Sequence, residues 1–176
     1  MTHRLLQFLT IIATVLMLGC TGDKGKDAKT TSNEPDSTFL PNGYDVVELF
    51  KTRTEHITTT INVNGKACVF LIDTGGGATL IDEAKMSKYG LTPSNTRDYA
   101  AGIGSKNVLV KTSATFQING QDIKVDDMYM MDISYLNIEF KKNHGRQVDG
   151  VLGTDFLAKY GAVIDYAQNK MYLKIR

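Results

Sequence analysis

The sequence predicts an all-β fold, a closed β-barrel with one or two short helices. Three observations support this prediction. Short apolar stretches alternate with turn signals along residues 54–176, and Asn-Gly pairs at 64–65 and 119–120 are typical of tight hairpins. Sixteen glycines and no tryptophan fit a chain with many turns. Roughly eight short strands of this kind favour a barrel over a parallel sheet.

The first half of the folded region reads as a series of hairpins. Ile57–Val63 alternates apolar and polar residues, as a half-buried strand does, and residues 67–72 are continuously apolar. Residues 82–89 predict a short helix that Gly90 ends. A second hairpin is predicted with arms 98–103 and 107–111, and a third with arms 112–118 and 122–131.

The last third of the chain contains one helix and two strands. Gly150–Leu152 is apolar and leads through Gly153 into a helix that begins at Thr154 or Asp155, one of which we expect to be the N-cap. Residues 162–166 and 170–175 are the final strands. We interpret His56, His144 and the lysines at 141–142 as solvated or structural residues in loops or at strand edges.

The N-terminal region has the layout of an export signal. Arg4 precedes an apolar run over residues 5–18 that is too short to span a bilayer comfortably. The run ends in Gly19-Cys20, which resembles a bacterial lipobox with Cys20 as the lipidated residue; an ordinary secretory signal is the alternative. We therefore predict a signal peptide over 1–19, a flexible tether over 20–45 and a folded domain over 46–176. The expected location is the bacterial cell envelope, lipid-anchored on the periplasmic or surface face of a membrane.

Composition argues against several other classes of protein. The net charge is +1 and no basic stretch suggests a nucleic-acid partner. Cys20 and Cys68 are the only cysteines, so a lipidated Cys20 leaves Cys68 as a buried thiol without a disulfide. No metal-ligand spacing is present, and we expect no cofactor.

One motif carries candidate chemistry. Asp73-Thr74-Gly75 follows four apolar residues, so a buried strand brings a carboxylate into the domain and ends there. Gly75 allows a sharp turn, and Thr74 can hydrogen-bond across it. A carboxylate held this way has a tunable proton affinity. The three residues alone also fit an ordinary Asx turn.

Two further segments make the motif more specific. Residues 79–81 restore a polar–apolar–apolar pattern, and Val151-Leu152-Gly153 repeats an apolar–apolar–glycine pattern before a helix. Together with Asp73-Thr74-Gly75 they resemble the retropepsin-like aspartic peptidases, over about residues 54–176.

The resemblance implies a retropepsin-like acid-protease barrel with a defined site. It makes Asp73 the catalytic residue in an active-site loop with Thr74, Gly75 and Gly76. It implies support from Val151, Leu152 and Gly153, and a flap at Gly102, Ile103 and Gly104. Gly76-Gly77-Ala78 departs from the family, which usually has Ala or Ser first and, in viral members, two acidic residues next.

The implied function is an aspartic endopeptidase acting on a peptide or protein substrate. Such enzymes use two carboxylates that share a proton. No second Asp-Thr-Gly motif exists here, and Asp149, Asp155 and Asp165 fit turns, a helix start or ion pairs better. The resemblance therefore implies a homodimer. The alternatives are a non-catalytic peptide-binding module of the same fold and a structural envelope protein.

Overall fold

The computed structural model describes residues 43–102 and 105–175, with side chains of residues 100–102 and 105–107 left undescribed. The strands are β1 (Asp45–Glu48), β2 (Phe50–Lys51), β3 (Ile57–Val63), β4 (Lys66–Ile72), β5 (Leu80–Asp82), β6 (Arg97–Gly102), β7 (Ser105–Ile118), β8 (Gln121–Met131), β9 (Gly150–Leu152), β10 (Val163–Asp165) and β11 (Lys170–Leu173). The helices are a 3-10 turn (Glu83–Lys85), α1 (Met86–Tyr89), α2 (Ser134–His144) and α3 (Thr154–Lys159).

The larger sheet closes on itself. Its strand order is β2-β3-β4-β9-β5-β8-β7-β6, and β3 also pairs with β7. That closing pair joins Asn62 to Gln117 and Val63 to Phe116. A second, three-stranded sheet has the order β1-β11-β10. The predicted all-β barrel is therefore confirmed.

The two Asn-Gly pairs form hairpin turns as predicted. Asn64 and Gly65 both have positive φ, 48° and 79°, and Asn119 and Gly120 have 49° and 78°. Positive φ at both central residues gives a turn whose twist matches the flanking strands. These turns set the registers of β3 with β4 and of β7 with β8, and so place the apolar residues of each strand inside.

The barrel contains two apolar clusters. In the larger one, the rings of Phe70, Phe116 and Phe156 follow one another at centroid distances of 5.4 and 5.5 Å. The smaller one, which we call the cavity cluster, joins strand residues to the one long helix of the described chain. Its buried members are Leu71, Leu80, Leu109, Met131, Ile133, Phe140, Val148 and Val151.

The predicted bounds of two segments, one pair of strands and one helix, are wrong. The arms 107–111 and 112–118 are one continuous strand, β7, with a register shift between Thr112 and Ala114. A bulge bends a strand without ending it, and no Gly, Pro, Asn or Asp is present there to make a turn. Residues 82–89 are likewise not one helix, because Asp82 ends β5 and its Oδ1 accepts the Ala84 N–H at the start of the 3-10 turn.

The number of helices is also larger than predicted. The described residues contain α1, α2 and α3, where one or two short helices were expected. The additional one, α2, includes Lys141, Lys142 and His144, which we had assigned to a loop or strand edge. Asp132 Oδ1 accepts the Ser134 N–H at 2.8 Å and helps to start this helix.

The predicted signal peptide, Cys20 and most of the tether lie outside the described residues. The first strand begins at Asp45, at the end of the predicted tether. Over residues 43–102 and 105–175, the helices are too short or too polar for any of them to cross a membrane.

Candidate active site

The candidate site is built where β9 passes between β4 and β5. β9 runs parallel to β4, with Leu71 beside Val151 and Ile72 beside Leu152, and antiparallel to β5. Directly after β4, the Asp73 N–H donates to Leu152 O at 3.1 Å. The predicted supporting residues thus lie against the predicted catalytic loop.

The Asp73 carboxylate is held by its own loop. Its Oδ1 accepts the N–H of Gly75 at 2.9 Å and the N–H of Gly76 at 3.0 Å. Hydrogen bonds of this kind fix the side-chain rotamer. In the described part of the chain nothing donates to Oδ2, so this oxygen is free to act on a bound molecule. Asp73 is half-buried, and Thr74 and Gly75 are exposed.

The glycines after Asp73 differ in the space around them. A Cβ at Gly76 would lie 2.9 Å from Asp73 Oδ2 and 3.1 Å from its Cγ. At Gly77 a Cβ would meet nothing within 4 Å. The absence of a side chain at Gly76 therefore leaves space for the carboxylate, whereas a side chain at Gly77 would point into open space.

Gly153 and Thr154 hold the far side of the loop. A Cβ at Gly153 would lie 2.5 Å from the carbonyl carbon of Ala78, so only glycine lets the two backbones approach this closely. Thr154 then donates both its N–H, at 2.8 Å, and its hydroxyl, at 3.0 Å, to Gly76 O. The loop is clamped at both ends, by Leu152 and by Thr154.

A further residue, Asp155, completes this support and was not identified from the sequence. Asp155 accepts the N–H of Thr79 at 2.9 Å and its hydroxyl at 2.6 Å. The same Thr79 oxygen accepts the Gly153 N–H at 3.1 Å. Thr79 is fully buried. The signal in the sequence was a threonine, Thr79, directly before a buried strand. It could not indicate Asp155, because its partner is 76 residues away along the chain.

The predicted N-cap of α3 is wrong. Gly153 is the N-cap, and no side chain makes a capping hydrogen bond there. Thr154 and Asp155 are instead the first helical residues, and both face the active-site loop. The Thr154 hydroxyl donates to Gly76 O, and Asp155 Oδ1 accepts the N–H of Phe156 at 2.7 Å in addition to the Thr79 hydroxyl.

A cavity of about 460 Å³ opens in front of Asp73. Its floor is the loop from Asp73 and Gly75 to Ala78, and Asp73 is the one carboxylate among its lining residues. The walls are apolar or aromatic: Leu71, Leu80, Leu109, Met131, Ile133, Tyr135, Leu136 and Val151. An apolar pocket with one oriented acid at its base has the form of a ligand-binding site.

The predicted flap corresponds to β6 and β7. Tyr99 pairs with Val108, and Gly102 with Ser105. Leu109 lines the cavity, and the Tyr129 hydroxyl donates to Asp98 Oδ2 at 2.9 Å at the base of the hairpin. Gly102 ends β6, whereas Ile103 and Gly104 lie outside the described residues.

Other reactive groups are remote from this chemistry. Cys68 is fully buried, and burial raises the pKa of its thiol to about 12, so it remains protonated. Asp149, predicted to be a turn residue or ion-pair partner, pairs with Lys88 at 3.2 Å. Across the described ranges, no group of three or more His, Cys, Asp or Glu residues could hold a metal ion.

Known proteins resemble this chain in both sequence and fold. It is 26% identical over 117 residues to DNA damage-inducible protein 1 of Chaetomium globosum, covering 65% of this chain and 24% of that protein. It is 29% identical over 112 residues to the UBA domain-containing protein Mud1 of Schizosaccharomyces pombe, covering 62% and 30%. The chain thus spans less than a third of the length of these curated relatives.

A solved structure and a family match complete the comparison. The retropepsin-like aspartic protease from Rickettsia conorii is 18% identical, with a TM-score of 0.47, covering 74% of this chain and 89% of that one. The aspartyl protease family matches residues 59–156, which include the Asp73 loop, β9 and the start of α3. Because this match extends over more than half of the sequence, the chain belongs to the aspartyl protease family.

Proposed function

We propose that this protein is an aspartic endopeptidase that works as a homodimer, each chain contributing one Asp73. The observation that carries the proposal is the half-complete site. A cavity suited to a peptide side chain contains one carboxylate, fixed through Oδ1, with Oδ2 facing no donor in the described residues. A second copy of the chain would supply the second carboxylate that the chemistry needs.

The reaction follows from two carboxylates that share one proton. The ionised one takes a proton from a water molecule as its oxygen attacks the scissile carbonyl carbon, while the protonated one donates to the carbonyl oxygen. As the tetrahedral intermediate collapses and the C–N bond breaks, the carboxylate that took a proton from water gives it to the leaving amine. The other carboxylate takes a proton back from one hydroxyl of the intermediate as the carbonyl of the product acid forms. The N–H groups of Gly75 and Gly76 keep Asp73 in place throughout.

The exposure of Thr74 supports pairing of two chains through their active-site loops. Thr74 is exposed in the single chain although it is next to the half-buried Asp73. In the proposed dimer the two Thr74 side chains meet across the two-fold axis and bring the two carboxylates together. Sedimentation that finds only monomers, together with specific activity unchanged on dilution, would contradict this arrangement.

The decisive variant is Asp73→Asn. The amide keeps the size of the side chain and an oxygen for the Gly75 and Gly76 N–H groups, so the fold should persist. It cannot act as a general base, so cleavage of a denatured protein substrate should fall by at least about a thousandfold. Activity is measured with purified protein over a range of acidic pH, and folding by circular dichroism and thermal melting.

The same experiment separates the peptidase from the non-catalytic peptide-binding module. A peptidase is inhibited by a statine-type peptide, which imitates the tetrahedral intermediate. A binding module retains peptides uncleaved, and Asp73→Asn leaves its affinity unchanged. Wild-type protein that binds peptides but never cleaves them would rule out the proposed activity.

We also propose that the domain is anchored in the cell envelope through a lipid on Cys20. The support is the apolar run before Gly19-Cys20 in the sequence. Cys20→Ser should move the protein from the membrane fraction to the soluble exported fraction without affecting the fold. Cys68→Ser is the control, because Cys68 is buried in the domain. Unchanged membrane association of Cys20→Ser would contradict the lipid anchor.

A further inference from the structure

A cluster of two histidines and a threonine lies outside the Asp73 loop. Thr54 Oγ1 is 2.8 Å from His56 Nδ1 and 2.9 Å from His144 Nε2. The loop between β2 and β3 carries Thr54 and His56, and His144 is the last residue of α2. We call these three residues the His–Thr–His cluster.

The cluster holds together best with at least one neutral ring. A hydroxyl has one proton and two lone pairs, so Thr54 can donate to one ring nitrogen and accept from the other, or accept from both. One protonated ring and one neutral ring can make both hydrogen bonds. When both rings are protonated, two positive charges with ring centroids 5.9 Å apart point at the same oxygen, and Thr54 can no longer donate to either.

The groups around the cluster also oppose a second proton. Partial burial of its ring lowers the pKa of His144, and the positive charges of His56, Arg146 and Arg53 lower it further. A His whose pKa is lowered in the folded state contributes stability at pH values above its unfolded pKa of about 6.5. That contribution is lost as the pH falls through the lower, folded value.

The cluster is connected to the Asp73 cavity through one aromatic residue. Phe140 of α2 contacts both rings, with centroid distances of 4.6 Å to His144 and 5.7 Å to His56. Phe140 is buried and belongs to the cavity cluster. At the other end of α2, Tyr135 and Leu136 line the cavity itself.

We propose that the His–Thr–His cluster is an acid-sensitive latch that fixes α2, and with it one wall of the Asp73 cavity, at neutral pH and releases it on acidification. The latch is a property of the fold. Its effect on cleavage rests on the proposed peptidase function, in which the α2 wall contacts the substrate and acidic pH is the working condition.

The test compares α2 with α3 by amide hydrogen exchange in full-length Asp73→Asn, where cleavage cannot interfere. We expect the protection factors of α2 amides to fall about tenfold between about pH 7.5 and about pH 5, while those of α3 stay constant. In parallel, NMR titration should show the His144 ring titrating below the ordinary value of about 6.5, and His56→Gln should shift that titration upward.

Two variants complete the design. His144→Gln removes the titrating ring and should abolish the pH dependence of α2. Lys142→Gln removes a positive charge from the same helical turn but leaves the cluster intact, because its ion-pair partner is Glu139, and should retain the dependence.

Equal pH dependence of α2 and α3 in the Asp73→Asn protein, or a His144 titration that His56→Gln does not affect, would overturn the latch. Neither result depends on whether the wild-type protein cleaves peptides.

Discussion

At the scale of single residues, the active-site loop depends on which glycine lies next to the carboxylate. Gly76 borders Asp73 so closely that a methyl group would displace Oδ2 by a few tenths of an ångström. Gly77, one residue further, has open space. The two positions therefore offer a matched pair for testing what a methyl group next to the carboxylate does.

The peptidases that the sequence resembles usually have Ala or Ser at this position, but the backbone here would leave a Cβ only 2.9 Å from Asp73 Oδ2. We therefore expect Gly76→Ala to lower kcat of peptide cleavage by about tenfold, because the carboxylate must turn away from its two N–H donors. Gly77→Ala should leave kcat within about twofold. Both changes reduce the entropy of the unfolded chain similarly, but only Gly76→Ala strains the folded loop, so thermal melting should show it to be the less stable variant. Equal kcat values for the two variants would show that the position of the carboxylate does not depend on Gly76.

The residues of the site differ in how well the sequence predicts them. Asp73 and Gly153 belong to local motifs, and the structure places their loops in contact. Asp155 could not be assigned, because its bond to Thr79 joins segments 76 residues apart. Local patterns indicate strand ends and turns, but a hydrogen bond between distant side chains depends on the completed fold.

At the scale of elements, α2 is attached to the barrel by Asn137. This side chain is almost fully buried and makes two hydrogen bonds with the backbone of Val148, at 2.9 and 3.0 Å. It also donates to Asp82 Oδ2 at 3.3 Å, at the end of β5. One amide thus connects α2 to the segment before β9 and to β5.

We expect Asn137→Ala to lower the free energy of unfolding by about 2–4 kcal/mol, because it leaves the buried N–H and carbonyl of Val148 without partners. Asn143→Ala, the same substitution at an exposed position of α2, should change it by less than about 0.5 kcal/mol. Urea denaturation at neutral pH measures both. Similar values for the two variants would mean that water replaces Asn137 at this site.

The same residue explains why α2 was not predicted. A polar Asn137 occupies the buried face, whereas the large apolar side chains Tyr135 and Ile138 are exposed, so the sequence lacks a helical apolar stripe. No side chain caps the helix at Ile133 either. The hairpins, in contrast, are specified locally by Asn64-Gly65 and Asn119-Gly120, and the strand ends next to these turns were predicted to within one residue.

At the scale of the whole described domain, the barrel presents half of the catalytic site that we propose. The ring of strands is closed by the pairing of β3 with β7, so the single chain folds without a partner strand in the barrel wall. The cavity, in contrast, contains one carboxylate among its lining residues. Folding should therefore not require a second chain, whereas catalysis should. A mixture of active and inactive chains can test the second requirement.

When wild-type chains are unfolded and refolded with an equal amount of Asp73→Asn, random pairing gives about one quarter wild-type dimers. A site that needs two Asp73 carboxylates should then show about a quarter of the activity that the same total amount of wild-type protein has. Chains that act alone would show half. Refolding with Asn143→Ala, which leaves both carboxylates in place, should keep full activity and serves as the control. An activity of one half in the mixture with Asp73→Asn would require each chain to hold a complete site, and so a second acid outside the cavity lining seen here.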